Sequence, residues 1–160
     1  NVDFILANHS ITGNDPSVYS ISLGKSPVGI YGTEDYQGLK DNFPGSMDKQ
    51  PIILPTSHSK LRHDLEHYFD LHQIKPDVVA EVQDTGLQKR MAGDGLAMSA
   101  LAKLAAKALV KSGRLKLIGE LKDLTEEYWI ISSKRIVQNP VVQELIDTYP
   151  QFLRTKQKAK

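Results

Sequence analysis

Three hydroxyl side chains and one imidazole are adjacent in the chain, at Thr56, Ser57, His58 and Ser59. They follow a compact apolar run, residues 52–54, and precede a segment whose apolar spacing predicts a helix. Ligands of open α/β sheets bind where strands end and helices begin, and the free N–H groups of a helix start favour an anion. A single one of these side chains suffices to cap the helix. The segment therefore predicts either a helix cap alone or a site for a small anion.

Two other polar segments follow predicted strands in the same way. Gln83 and Asp84 close the apolar run at residues 78–82, and Thr85 is predicted to cap the helix after them. The first apolar run, at residues 2–7, is followed by Asn8, His9 and Ser10. Because the polar ends of parallel strands collect at one edge of a sheet, we expect the three segments to face one cleft.

His63, Glu66 and His67 match the H-x-x-E-H pattern of a class of zinc proteases. At roughly 100° per residue, the apolar face of this predicted helix lies opposite both histidines. That face consists of Leu61, Leu65, Tyr68 and Phe69. His72 is predicted on the buried side, so a third metal ligand is missing. The pattern therefore predicts a solvated polar face, with no metal site and no cofactor, and a metal hydrolase is kept as an alternative.

Other patterns that resemble ligand or catalytic motifs are incomplete. Residues 24–26 lack the earlier glycine of a phosphate-binding loop, and the glycine turn at 93–95 lacks the third glycine of a dinucleotide site. The stripe of Lys103, Lys107 and Lys111 has no interleaved aromatic residues for stacking bases, and we predict a solvated face. No nucleophile-elbow pattern occurs. We therefore predict no catalytic residue and no enzymatic activity.

The composition of the 160 residues excludes several classes of protein. There are 20 Lys and Arg residues against 19 Asp and Glu, so the net charge of +1 gives no general attraction to nucleic acid or membranes. The absence of cysteine excludes a disulfide framework and a thiolate metal site. No apolar run approaches the ~18 residues of a transmembrane helix, and no signal-peptide pattern occurs, so we expect a cytoplasmic protein. Because the chain begins inside a predicted buried strand, we expect a fragment of a longer protein.

Short strands alternate with helices along the chain, which predicts an α/β fold with a largely parallel sheet. The predicted strands are residues 2–7, 21–23, 28–31, 51–55, 78–82, 96–98, 115–121 and 128–131. The predicted helices are residues 34–40, 61–69, 85–92, 101–109 and 140–149, with Pro150 ending the last one. In this order, Thr56 and Gln83 each stand between a strand and a helix.

The serial order of these elements resembles the effector-binding region of LysR-type transcriptional regulators over residues 1–150. The main match is GLQKRMAGDGLAM at residues 86–98, which looks like that family's helix, glycine turn and short apolar strand. Ser99 and Ala100 stand where the family usually has a proline. The shorter matches are the G-R-L return strand and two apolar strands, at residues 112–115, 128–131 and 2–6.

The resemblance implies a periplasmic-binding-protein-like, two-lobed α/β fold, with one complete lobe and part of the other. Residues 26–113 would form the second lobe, residues 1–25 and 114–150 part of the first, and residues 151–160 a basic flexible tail. The winged-helix DNA-binding domain would lie outside this chain. The family's effector contacts come partly from the loop that matches residues 56–60, in agreement with the anion site expected from the residue types.

For function, the resemblance implies a non-enzymatic domain of a bacterial regulator that senses an effector and mediates oligomerisation. A small-molecule or ion effector between the lobes would favour one closure state and so change the arrangement of subunits. A homodimer is expected, with a tetramer as the alternative for the full-length protein. A solute-binding protein of a transport system shares the architecture and is the alternative function. A helix-turn-helix upstream would favour the regulator, and a secretory signal the transport protein.

Within the family, three segments look most like the activators of sodium/proton antiporter genes. These segments are residues 126–128, residues 135–143 and residues 53–55 before the helix start. This resemblance implies sodium or alkaline pH as the signal. His9 and His58 are then candidate pH sensors, because imidazole changes its charge near neutral pH.

Overall fold

The computed structural model describes residues 4–8, 17–132 and 140–153. Its strands are β1 (Ile5–Ala7), β2 (Tyr19–Gly32), β3 (Pro51–Leu54), β4 (Asp77–Glu81), β5 (Met98–Ala102) and β6 (Lys116–Ser132). Its helices are α1 (Lys60–Leu71), α2 (Thr85–Gly93), α3 (Lys103–Lys111) and α4 (Pro140–Leu153), with 3₁₀ segments at Glu34–Asn42 and Gly45–Met47. Within these three ranges, no helix combines the length and the apolar character needed to cross a membrane.

The chain divides into two compact units. One unit comprises Asn1–Ser26 and Glu126–Lys160, and the other is Pro27–Thr125. The strands β2 and β6 each contribute residues to both units. The chain therefore passes between the units once within each of these two strands.

The second of these crossing points lies between Thr125 and Glu126. Residues 114–125 are predicted in the first lobe, but they belong to the unit Pro27–Thr125. There the first half of β6 lies beside β2, and the backbone of Gly29 lies against Leu117 and Gly119. Our assignment of the two units to the two lobes of the family's fold stays a prediction.

Among the described residues of the unit Pro27–Thr125, the strands form a mixed sheet in the order β6-β2-β5-β3-β4. β3 is parallel to both β4 and β5, whereas β2 is antiparallel to β5. The prediction of a largely parallel sheet is therefore wrong for β2. Apolar patterning identifies strands but does not encode their order, and the order places β2 beside β5 in the opposite direction.

The core of this unit follows from the period of two residues in a strand, which turns successive side chains to opposite faces. Ile52 and Leu54 are buried on one face of β3, whereas Ile53 is buried in a separate cluster with Val82 and Ala97. Against the first face pack the α1 side chains Leu65, Tyr68 and Phe69. Full burial of a leucine or phenylalanine side chain contributes roughly 1.5–3 kcal/mol. This packing fixes where α1 begins relative to the edge of the sheet.

In the other unit, β1 pairs antiparallel with β6, and Leu23, Ile130 and Val142 are almost fully buried. The apolar composition of the first strand predicts burial, but this is wrong for Ile5 and Leu6. These two side chains are 55% and 52% exposed. The physical reason is the position of β1 at the end of the strand order, where, among the residues that the structure describes, it has a neighbouring strand on one side only.

Several element boundaries also differ from those that the patterns predict. The strands predicted at 115–121 and 128–131 are one strand, β6, because pairing with its neighbours keeps the polar middle extended. Leu101 and Ala102 belong to β5 rather than to the following helix, and both are buried in the sheet. α4 includes Pro150 instead of ending before it.

Candidate functional site

The carboxyl ends of β3 and β4 lie side by side. In their parallel register Leu54 is opposite Glu81, and the Val82 N–H donates to the Leu54 carbonyl oxygen at 2.9 Å. The polar residues 56–59 and 83–84 leave the sheet from these neighbouring strand ends. The structure therefore brings together two of the three polar segments that the sequence singles out.

A third helix begins at the same edge. β5 is parallel to β3, with Ile53 opposite Ser99, and it runs directly into α3. The N-terminal ends of α1, α2 and α3 thus follow the carboxyl ends of neighbouring parallel strands, and each carries a partial positive charge. The start of α3 at this edge is not predicted from the sequence, because helical spacing assigns residues 101–102 to the helix instead of the strand.

The loop between β3 and α1 is closed by its backbone rather than by its hydroxyl groups. Ser59 occupies the N-cap position of α1, but its side chain makes no capping hydrogen bond. The Ser59 N–H donates to the Thr56 carbonyl oxygen at 3.0 Å, and the Arg62 N–H donates to the Ser59 carbonyl oxygen at 3.0 Å. Ser57 and His58 are exposed. The side-chain cap that the residue types allow is therefore not made by Ser59, and its hydroxyl is available to a ligand.

Asp84 caps α2. Its carboxylate accepts a hydrogen bond from the Leu87 N–H at 2.7 Å. The prediction that Thr85 is the cap is therefore wrong, because Thr85 is already the first residue of the helix. The Asp84 carboxylate compensates the positive end of α2, whereas α1 and α3 have no side-chain cap. Gln83 is exposed beside it. Of the three helix starts, α2 is the least suited to an anion.

Arg62 contacts residues at the ends of both β3 and β4, and it is not among the site residues predicted from the sequence. Its Nη1 lies 2.9 Å from the Pro55 carbonyl oxygen and 2.8 Å from Glu81 Oε1, and its Nε lies 2.6 Å from Glu66 Oε1. Burial by itself lowers the pKa of Arg62, but the hydrogen bonds to Glu81 and Glu66 outweigh burial and raise the pKa overall. The guanidinium therefore stays charged. The i, i+4 spacing of Arg62 and Glu66 is the signal that the sequence offers.

The third polar segment belongs to the other unit. Asn8 is exposed, and its Nδ2 donates to Glu126 Oε1 at 3.3 Å. The Tyr128 hydroxyl donates to the second carboxylate oxygen of Glu126 at 3.1 Å. His9 and Ser10 lie outside the described residues. An effector-binding role for these three residues stays a prediction.

His63 and His67 are both exposed on α1, as the helix geometry predicts. Glu66, the remaining residue of the zinc pattern, is engaged in its ion pair. Across the part of the chain that the structure describes, no group of three or more potential ligands is placed to hold a metal ion. The prediction that His72 is buried is wrong, because it follows the last residue of α1. It is exposed, and its ring packs on Tyr68 with the centroids 4.3 Å apart.

A family model described as "LysR substrate binding domain" matches residues 1–154 of the chain. Among curated proteins, the chain is similar to the transcriptional activator protein NhaR of Escherichia coli (strain K12), with 22% identity over 148 residues. The alignment covers 92% of this chain and 48% of NhaR, so the chain spans about half the length of the curated relatives it matches.

Two solved structures illustrate the likeness of fold. The bromide ion-bound regulatory domain of HypT from Salmonella typhimurium has a TM-score of 0.65 and 16% identity, over 95% of this chain and 70% of that one. The effector binding domain of QuiR in complex with shikimate has a TM-score of 0.58 and 16% identity, over 94% and 71%. At these identities the likeness shows the fold alone. It confirms the predicted α/β class, a periplasmic-binding-protein-like two-lobed fold.

Proposed function

The chain belongs to the LysR substrate-binding domain family, and from this membership we propose that it is the effector-sensing domain of a bacterial transcription regulator. The observation that carries the proposal is the sheet edge at which α1, α2 and α3 begin. Beside it lies the effector loop, our name for Thr56, Ser57, His58 and Ser59. We propose no enzymatic activity, in keeping with a family of transcription regulators.

The proposed ligand is a small anion, or a small molecule that carries a carboxylate or phosphate group. The start of α1 lacks a side-chain cap, so N–H groups of its first turn remain to bind negative charge. The exposed Ser57 and His58 add side-chain donors. Bromide in the HypT structure and shikimate, a carboxylate, in the QuiR structure support this ligand class.

Sodium or alkaline pH is a second proposal for the signal, and it is supported by the resemblance to antiporter-gene activators and by the similarity to NhaR. The positive ends of helices disfavour a cation. A sodium response would therefore act away from the effector loop.

The effector would act by population shift. A ligand that binds one conformation of the regulator more tightly than another raises the population of the first. Such couplings are about 1–3 kcal/mol, which corresponds to roughly 5–150-fold in affinity. Since the chain spans about half of NhaR, we propose that another part of the full-length regulator contacts DNA, in the cytoplasm and without a membrane partner.

A solute-binding protein of a transport system is the alternative that the sequence leaves open, because it shares the two-lobed architecture. The family membership and the similarity to NhaR favour the regulator. The sequence that precedes this segment in the gene discriminates the two, since a helix-turn-helix belongs to the regulator and a secretory signal to the transport protein.

We propose that a homodimer forms through β4, with a tetramer as the alternative for the full-length protein. β4 is the last strand in the sheet order, and its Val78 and Val79 are 41% and 47% exposed. Val79 is an extra residue in the register of β4 with β3, since Ile52 lies opposite Val78 and Ile53 opposite Ala80, so the alternation of faces is interrupted there and both valines are partly open to solvent. An exposed apolar edge strand is a template for pairing with another chain, and a second copy of β4 is the proposed partner.

Val79→Lys tests this dimer. We expect the variant to sediment as a monomer at concentrations at which the unmodified chain is a dimer. Leu96→Lys is the control, because Leu96 is 58% exposed but lies in the turn before β5. A dimer that persists in Val79→Lys, or an unmodified chain that is monomeric throughout, contradicts the proposed interface.

Ligand-induced thermal stabilisation tests the effector loop. We expect sodium phosphate, sodium bromide or sodium shikimate, at constant ionic strength, to raise the melting temperature. The rise should be abolished when Thr56, Ser57 and His58 are all replaced by Ala. Thr125→Ala, at an exposed threonine of β6, is the control and should keep the rise. An undiminished rise in the triple variant rejects the loop as the site, and no rise with any of the anions rejects the ligand class.

The sodium proposal has its own measurement. Sodium chloride is compared with potassium chloride at equal concentration, at neutral and at alkaline pH. A sodium-specific rise in melting temperature that persists in the triple variant supports a sodium response outside the effector loop. Equal melting temperatures in the two salts at both pH values argue against sodium as the signal.

A further inference from the structure

The guanidinium of Arg62 joins three parts of the unit Pro27–Thr125. It contacts Glu66 on its own helix, the carbonyl of Pro55 at the base of the effector loop, and Glu81 at the end of β4. One nitrogen, Nη1, serves both of the last two contacts, at 2.9 Å and 2.8 Å. A movement of Pro55 therefore acts on the same nitrogen that holds Glu81.

This arrangement differs from the exposed ion pairs on the same unit. Arg90 pairs with Asp94 at 3.2 Å, but its side chain is 75% exposed, whereas that of Arg62 is 12% exposed. Exposed pairs of this kind contribute little, because water screens them. Because the Arg62 side chain has much less access to water than that of Arg90, water replaces its lost partners less readily.

We propose that Arg62 is a positioning residue that couples the effector loop to the edge strand β4. The roles of the loop in ligand binding and of β4 in dimer formation rest on the proposed function. The coupling between the two segments rests only on the contacts of Arg62. A ligand that shifts the loop changes the contact between Arg62 and Glu81. By reciprocity, a change in the pairing of β4 alters the position of the loop.

The geometry of these contacts suits arginine better than lysine. A guanidinium presents its donors in a fixed planar fork, whereas the ammonium of lysine is a single point on a flexible stem. Arg62→Lys keeps the positive charge but cannot reproduce contacts to three acceptors from two different nitrogens. Glu81→Gln is the complementary change, because it leaves Arg62 with Glu66 and Pro55 and removes only the charge at β4.

Amide hydrogen exchange tests the coupling at individual hydrogen bonds. In Arg62→Lys we expect roughly tenfold faster exchange at Ser59, in the loop, and at Val82, beside the end of β4. Asp77, whose N–H donates to the Gln50 carbonyl oxygen at the opposite end of β4, should be unchanged. Glu81→Gln should also make amide exchange at Val82 and Ser59 faster.

Arg90→Lys is the matched control, because it makes the same chemical change in an exposed pair, and it should leave all of these amides unaltered. The proposal is overturned if the amides of Ser59 and Val82 exchange no faster in Arg62→Lys and Glu81→Gln than in the unmodified chain. So does an equal acceleration at Asp77, which indicates a general loss of stability rather than a change of position.

Sodium phosphate separates this inference from the proposed ligand class. In the unmodified chain, phosphate should slow exchange at both Ser59 and Val82, whereas in Arg62→Lys it should slow Ser59 alone. Equal slowing of Val82 in both chains overturns the coupling. If phosphate slows neither amide in the unmodified chain, the anion site fails, and the role of Arg62 is decided by the exchange rates without phosphate.

Discussion

The ring of Phe43 lies directly against the backbone of Gly119, at the place where any other residue carries its Cβ. Phe43 follows the 3₁₀ segment Glu34–Asn42, and Gly119 belongs to the first half of β6. The contact therefore fastens that segment to the sheet of the unit Pro27–Thr125. No motif or spacing in the sequence marks this pair.

Gly119→Ala is expected to destabilise the chain by about 1–3 kcal/mol, because the new methyl group overlaps the Phe43 ring and must displace it. Gly38→Ala is the control, since nothing lies within 4 Å of a Cβ at that position. Denaturant unfolding measures both variants. Equal stability of Gly119→Ala and the unmodified chain would show that Phe43 moves aside without cost.

Leu65→Ala is expected to lower the free energy of unfolding by about 2–5 kcal/mol, because Leu65 is fully buried between α1 and the sheet. Leu71→Ala makes the same change on the same helix at a side chain that is 68% exposed, and should cost within about 0.5 kcal/mol. Thermal or denaturant unfolding distinguishes them. Similar losses in the two variants would contradict the packing of α1.

Asp84→Ala is expected to cost about 0.5–2 kcal/mol of stability, because it removes the acceptor of the Leu87 N–H. Asp84→Asn should keep most of the stability, since asparagine caps helices about as well as aspartate. Asparagine also removes a negative charge near the effector loop, so phosphate should bind Asp84→Asn at least as tightly as the unmodified chain. Weaker phosphate binding by Asp84→Asn would instead support a direct ligand contact by the carboxylate.

Tyr31 should make the fold sensitive to strongly alkaline pH. Burial, with a smaller contribution from the charge of Glu120, raises the pKa of Tyr31 to about 12, compared with about 10 in an unfolded chain. Between these values the folded chain binds more protons than the unfolded chain, so stability that is complete below pH ~10 falls as the pH rises. Tyr31→Phe should reduce this fall by on the order of 2 kcal/mol.

The measurement for Tyr31 is the free energy of unfolding as a function of pH. Tyr36→Phe, at a half-buried tyrosine of the same unit, is the control and should keep the alkaline fall. An alkaline fall that is as steep in Tyr31→Phe as in the unmodified chain would show that other groups cause it.

His67→Ala is expected to leave folding unchanged, because His67 is exposed on α1. The purified chain should contain zinc well below one ion per molecule, as measured by elemental analysis. The metal-hydrolase alternative would be revived by stoichiometric zinc that is lost, together with hydrolytic activity, in His67→Ala.

The family assignment and the α/β class could be predicted from the sequence, because local patterns carry them. The apolar run of β3, the helical spacing of Leu61, Leu65 and Phe69, and the glycine turn before β5 each reflect neighbours within a few residues. The solvent-facing side of α1 with His63 and His67 follows from the same helical period. Polar residues at the ends of β3 and β4 could be recognised for the same reason.

Local patterns therefore identify the kind of each element and the residue types at its ends. Contacts between distant segments place the start of α3 at the same edge as α1, commit Asp84 to a helix cap and let Arg62 bridge Pro55 and Glu81. The exposure of Ile5 and Leu6 in β1 likewise depends on the position of that strand in the sheet. The physical reason is that strand order and direction depend on contacts between residues far apart in the chain, and no local pattern of side chains records them.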